Sequence, residues 1–239
     1  MAQRNTQKKN SPIYAILIML LIGIICFALF KIGTILLEQQ RNQDTYEQIS
    51  ELADEGIDWD ELRKINPDIV AWIKIEGTNI DYPIVTAPDN DKYLHTKFDG
   101  KQGSCGTLFV DANTTKPFKN FLTIVYGHHM KDGTMFNNLK KFKGKSFFDD
   151  HTHYDLYTPT QNYTVEIVGF YNPKSTSKFY DTEIETERQK FQYIDMLERD
   201  AKNESGERAT TNDRLVLLST CAYEYKNARY ILVGRLVKK

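Results

Sequence analysis

The strongest hydrophobic feature of the chain lies near its start. Residues Ile13 to Phe30 are eighteen consecutive apolar or small residues, and the run resumes after Lys31 as Ile32–Leu37. A helix rises about 1.5 Å per residue, so about 20 such residues cross a ~30 Å hydrocarbon core. The run is too long for the apolar region of a cleavable signal, usually ~7–15 residues, and Glu38-Gln39-Gln40-Arg41 offers no small-residue cleavage site. The pattern predicts a transmembrane signal anchor over residues 13–37, preceded by a cytoplasmic tail over 1–12.

Residues 38–66 are polar and helix-prone, and are expected to form a stalk of N-terminal helices. Tyr46, Ile49, Leu52 and Ala53 recur at three- to four-residue spacing, the signature of an amphipathic helix over Thr45–Ala53. Gly56 stops it. Asp58 is positioned to cap a second helix through Lys64, which Asn66-Pro67 ends.

From Ile69 the pattern shifts to short apolar runs rich in Ile, Val and aromatics. These are Ile69–Ile75, Tyr82–Val85, Thr107–Val110, Phe121–Tyr126, Tyr154–Tyr157, Tyr163–Tyr171, Arg214–Leu218 and Arg229–Val237, separated by Gly, Pro, Asn and Asp. Only Thr134–Phe142 and Thr182–Ala201 look helical among them, the latter through Ile184, Phe191, Ile194 and Leu197. About eight strands with so few crossover helices predict a mainly β domain over residues 67–239, an antiparallel barrel or sandwich.

Charge sharpens the membrane reading. Residues 1–37 hold Arg4, Lys8, Lys9 and Lys31 and no acid; the remainder has 31 − 4 = 27 basic against 32 acidic residues. A short basic head fits the positive-inside rule, leaving the β domain outside the cell. An acidic body carries no electrostatic footprint for nucleic acid.

The cysteines are Cys26, Cys105 and Cys221. Cys26 lies in the apolar run. A single Cys105–Cys221 bond is compatible with an oxidising compartment, but no CxxC pair suggests zinc or redox chemistry. In Leu215-Val216-Leu217-Leu218-Ser219-Thr220-Cys221 four apolar residues give way to three small polar ones, so a buried strand delivers a thiol to its exit. That placement suits a nucleophile, held by rigid scaffold yet open to solvent; an inert thiol is the plain alternative. Thr123–Met130 repeats the design, an apolar strand, Gly127, then His128 and His129. His128, His129, His151 and His153 lack the carboxylate or HExxH spacing of a zinc site. Arg229 opens the last apolar run about seven residues after Cys221. A hairpin there would bring its guanidinium beside the thiol, where it can support an oxyanion; an exposed ion pair is the bland reading.

Together these segments resemble the sortase family, class B in particular. The resemblance is carried by Leu217-Leu218-Ser219-Thr220-Cys221, by Tyr126–Met130 followed by Gly133-Thr134-Met135-Phe136, and by Arg229. Upstream, Asn66–Ile73, Ile80–Val85 and Asp89–Leu94 carry it too, and it spans roughly residues 57–237. It implies an eight-stranded sortase-type β-barrel with N-terminal helices and one helix between late strands, preceded by a transmembrane helix. It also implies a cysteine transpeptidase with Cys221 as nucleophile, His128 as acid/base and Arg229 as oxyanion support. The enzyme would cut a C-terminal sorting signal of surface proteins and join the new end to a cell-wall peptide amine, with no metal or cofactor. Position 129, commonly Asn in the family, is His here. By analogy Asn90, Leu94, Phe179, Tyr180, Ser219 and Thr220 would grip the sorting signal. An L,D-transpeptidase is the rival enzyme, but its His and Cys normally lie close together; 221 − 128 = 93 positions separate them here. A non-catalytic membrane-tethered binding module would make the three strand-end residues accidental.

Overall fold

The computed structural model describes residues 12–54 and 56–239. The basic tail with Arg4, Lys8 and Lys9 lies outside the described residues. The chain forms two compact units, one ending at Asp44 and the other running from Thr45 to Lys239. Helix α1 spans Pro12–Asp54; its apolar residues from Ile13 to Leu37 are almost all exposed, and it is long and apolar enough to cross a membrane.

In the second unit the expected amphipathic stripe is real, with Tyr46 and Ile49 buried in the core and Leu52 and Ala53 packed against it. Gly56, at φ 123°, breaks the helix. Asp58 then caps α2 (Trp59–Ile65), its Oδ1 accepting from the backbone N–H groups of Asp60 and Glu61.

The strands are β1 (Ile69–Ile75), β2 (Ile80–Val85), β3 (Leu108–Val110), β4 (Leu122–Tyr126), β5 (His153–Tyr157), β6 (Asn162–Tyr171), β7 (Asn203–Glu204), β8 (Leu215–Cys221) and β9 (Arg229–Lys238). Eight of them close a barrel in the order β5-β1-β2-β3-β4-β8-β9-β6, with β6 pairing back to β5; the two-residue β7 adds only to the edge of β6. The barrel is not wholly antiparallel, because β2–β3 and β4–β8 are parallel pairs. Both pairs are joined by long crossovers, which parallel neighbours require and a hairpin cannot supply.

The helical segments depart from their sequence signals for local reasons. The late helix α5 (Glu187–Asp200) starts at Glu187 rather than Thr182, because Thr186 and Gln189 form a capping box that fixes the first turn; Ile184 lies outside the helix and Phe191 on its exposed face. The Thr134–Phe142 segment is a 3₁₀ helix over Phe136–Lys143, followed by α4 (Lys145–Asp150). Asn137 and Asn138 donate back to the carbonyls of Met130 and Gly133 instead of facing water. A further short helix, α3 (Lys92–His95), lies in the β2–β3 crossover.

The buried strands explain the unbroken apolar runs. Val216 and Leu218 of β8 point to the barrel interior, while Leu215 and Leu217 join a second cluster with Tyr193, Ile194 and Leu197 of α5. Both faces of β8 are covered, so alternation disappears from its sequence. The thiol-bearing strand is thereby fixed from two sides.

Candidate active site

The site forms at the ends of β4 and β8 and the start of β9. Antiparallel pairing of β8 with β9 sets Cys221 directly opposite Arg229. Parallel pairing of β4 with β8 matches Tyr126 to Ser219, and the Gly127 N–H continues the ladder to the Ser219 carbonyl at 3.1 Å. His128 follows two residues after Tyr126, as Cys221 does after Ser219, so each lies just past the last paired residue of that ladder. Gly127 is required by close approach: a Cβ there would lie 2.4 Å from Leu108 Cδ2 and 2.7 Å from Phe136 Cδ2.

The loop bearing the histidines is closed on itself, with the Phe136 N–H donating to the His128 carbonyl at 2.9 Å. The His128 ring meets the Leu94 carbonyl through Nε2 at 2.8 Å. A carbonyl only accepts, so Nε2 carries the hydrogen and a neutral ring keeps Nδ1 as its base. Leu94 therefore enters the site by its backbone. Gly106 packs closely against α3, with φ at 60° and a Cβ there falling 2.4 Å from the Tyr93 carbonyl. Tyr93 in turn donates to Asp68 Oδ2 at 2.6 Å.

His129 behaves differently. Its ring faces the Cys221 backbone and packs on Tyr223 and Tyr230, with centroids 5.4 and 5.9 Å away. Burial holds its pKa below the ordinary imidazole value, against the opposing contact with the Cys221 backbone. His151 stacks on Phe147 at 3.9 Å, and His153 opens β5. Cys105 is buried in the barrel core, so the Cys105–Cys221 disulfide does not form; Cys221 is half-buried.

The Arg229 guanidinium donates from Nη1 to the Ala228 carbonyl at 3.0 Å, and its backbone N–H to the Pro173 carbonyl at 2.9 Å. Its charge acts on Tyr126 and Tyr180, whose phenols are both raised, chiefly by burial; Tyr180 reaches about 12. The two rings run nearly parallel, 17° apart in plane with centroids 6.2 Å apart. Tyr180 and Ser219 share a hydroxyl hydrogen bond of 2.8 Å.

Of the groups expected to hold a peptide, Ser219 lies two residues before Cys221 and bonds Tyr180, Leu94 meets His128 through its carbonyl, and Asn90 is tied to Asp111. Phe179 is buried, its ring 4.9 Å from that of Tyr171, and its carbonyl accepts from Tyr193. Thr220 is buried too, and its hydroxyl has no partner among the described residues. Sequence reading missed Asp111 and Tyr126 as members of this polar chain. Asp111 Oδ2 accepts from Asn90 Nδ2 and from the Tyr126 hydroxyl, each at 3.0 Å. The available signal was a carboxylate placed immediately after the buried run Leu108-Phe109-Val110.

A sortase domain model matches residues 73–237. The chain belongs to the sortase family. This sortase is 33% identical over 239 aligned residues to Sortase B of Listeria monocytogenes, covering 93% of this chain and 96% of the relative. The crystal structure of Clostridium perfringens sortase B superposes with a TM-score of 0.70 at 34% identity, covering 74% and 98% of the two chains. That of Staphylococcus aureus sortase B gives 0.72 at 28% identity, with 84% and 97% covered. These likenesses make it a class B sortase with that family's eight-stranded barrel, and class membership makes it a transpeptidase. A cysteine-dependent reaction on surface proteins follows from the class.

Proposed function

We propose that this sortase anchors secreted surface proteins by ping-pong acyl transfer, with Cys221, His128 and Arg229 as its catalytic residues. The observation that carries the reading is the register: β9 sets Arg229 opposite Cys221, and β4 runs parallel to β8 through Tyr126 and Ser219, with His128 and Cys221 each two residues farther along their chains. The Cys221 thiolate attacks a peptide carbonyl of the sorting signal, forming a C–S bond and an oxyanion. Arg229 and nearby backbone N–H groups stabilise the negative oxygen. The tetrahedral intermediate collapses as the C–N bond breaks, with protonated His128 giving its proton to the leaving amine. A thioacyl enzyme remains. An amine of the wall peptide then attacks the thioester; His128 takes its proton and the thiolate leaves.

Tyr180, Ser219, Asn90 and the Leu94 segment form the wall of the peptide groove in this reading, with Phe179 and Thr220 supporting it from beneath. A substrate complex has been solved for Staphylococcus aureus sortase B, which supports a peptide substrate here too. α1 is taken as the single-pass anchor, its N-terminus cytoplasmic and the barrel outside.

The test is mass spectrometry of the full chain in detergent with a panel of sorting-motif peptides, with and without an added amine. The expected result is a thioester on Cys221 that the amine removes as a new amide. Arg229→Ala should lose turnover while the fold melts normally. A folded wild-type protein that forms no adduct with any peptide refutes the proposal.

A further inference from the structure

We propose that Asp111 is a positioning residue that fixes the polarity with which the peptide groove reads its substrate. It does so by locking the Asn90 carboxamide in one orientation, so that Asn90 offers a donor and not an acceptor. The inference rests on the reading that Asn90 lines the groove.

Asp111 follows β3 directly and is 5% exposed. Among the described residues no lysine or arginine pairs with it, and its carboxylate is satisfied by hydrogen bonds. Oδ1 accepts from the Asn113 N–H at 2.9 Å, and Oδ2 from Asn90 Nδ2 and the Tyr126 hydroxyl at 3.0 Å each. A carboxylate accepts only, so it dictates the direction of both bonds to Oδ2. Asn90 Oδ1 is occupied by the Ala112 N–H at 2.8 Å. Flipping the amide would set N–H against N–H and oxygen against carboxylate, losing both bonds. Asn90 itself is exposed, and its Nδ2 has two hydrogens, one of which goes to Asp111. The second is left to donate. Tyr126, held by the same oxygen, stacks beside Tyr180, so one buried carboxylate sets both the amide and one aromatic wall. The substrate group that meets Asn90 is therefore a carbonyl oxygen, from a carboxamide, a carboxylate or the main chain. A lysine or arginine side chain there would face a donor.

Two variants test this. Asp111→Asn is isosteric but puts an NH₂ where one oxygen was, so the Asn90 amide is no longer held one way. The reciprocal exchange Asn90→Asp with Asp111→Asn restores the side-chain bond with the opposite polarity and presents an acceptor to the groove. Each is made in the full chain in detergent, with Cys221→Ala versions for binding. Peptides vary one motif position at a time among Asn, Gln, Asp and Lys.

At one position the parent should favour acceptor side chains over Lys by at least about tenfold. Asp111→Asn should shrink that ratio at least about fivefold, and the exchange should invert it. Alkylation of Cys221 by iodoacetamide should keep its rate in both, which separates altered reading from a damaged nucleophile. An unchanged ratio in folded variants overturns the inference. So does a parent that does not discriminate, or a Cys221→Ala protein that binds no peptide. Discrimination in binding without any Cys221 thioester would sink the proposed reaction and leave the role of Asp111 standing.

Discussion

Replacing Gly127 with alanine perturbs the site through space alone, since its backbone is not in the left-handed region that favours glycine. The new methyl would lie 2.4 Å from Leu108 Cδ2 and 2.7 Å from Phe136 Cδ2, against at least 3.4 Å for ordinary contact. The neighbours or the backbone must therefore yield by 3.4 − 2.4 = 1.0 Å on the Leu108 side and 3.4 − 2.7 = 0.7 Å on the Phe136 side. Leu108 and Phe136 are both fully buried, so little slack exists. Overpacking of this kind costs about 1–3 kcal/mol. For a domain of this size each kcal/mol lowers Tm by about 2–4 °C, so Tm should fall by about 2–12 °C.

The functional loss should be larger than the loss of stability. Gly127 also carries the N–H that ties β4 to the Ser219 carbonyl, one residue before His128. A displacement near 1 Å in a catalytic group can cost about 100-fold in rate. The assays are thermal unfolding by near-UV circular dichroism and turnover of the preferred peptide at a temperature where the variant is folded. Gly144→Ala is the control, since its Cβ would meet only the Lys141 carbonyl at 3.4 Å and its φ is −76°. A Gly127→Ala protein with Tm within about 1 °C of the parent and turnover within twofold would refute the reasoning.

Three further outcomes follow from the same structure. Arg229→Lys keeps the charge but loses the planar fork, and should lower kcat by at least about 100-fold with Tm almost unchanged, measured by steady-state kinetics beside a melting curve. For His129 the folded-state pKa is depressed, so below the ordinary value of 6.5 the unfolded chain binds a proton more readily and stability falls as pH drops. His129→Asn removes that term; its Tm should decline less than the parent's between pH 7.5 and 5.5, with turnover near normal, and an equal decline would count against it. Thr186→Ala deletes the capping-box acceptor of α5 and should cost about 1 kcal/mol in denaturant unfolding, because Gln189 loses its N–H partner.

Much of this protein is legible in the order of its residues. The apolar run from Ile13, the stop at Gly56, the Asp58 cap and the eight barrel strands are local signals, set by hydrophobic period, backbone freedom and short-range hydrogen bonds. So is the placing of Cys221 and Arg229 at the two ends of one hairpin, because antiparallel pairing across a short turn leaves little choice of register. The start of α5 was legible as well, in the Thr186–Gln189 spacing, and was hidden only by the more conspicuous apolar pattern beginning at Ile184.

What tertiary structure alone decided concerns partners far apart in sequence. The parallel pairing of β4 with β8 matches Tyr126 to Ser219 across 93 positions, and no local periodicity encodes which strand lies beside which. The two adjacent histidines separate only in three dimensions: one meets the Leu94 carbonyl, the other is wedged between Tyr223 and Tyr230. Asp111 looks in the sequence like an ordinary turn carboxylate. It becomes an organising group because the fold buries it with Asn90 and Tyr126, and a buried carboxylate without a cation must find its donors wherever the chain supplies them.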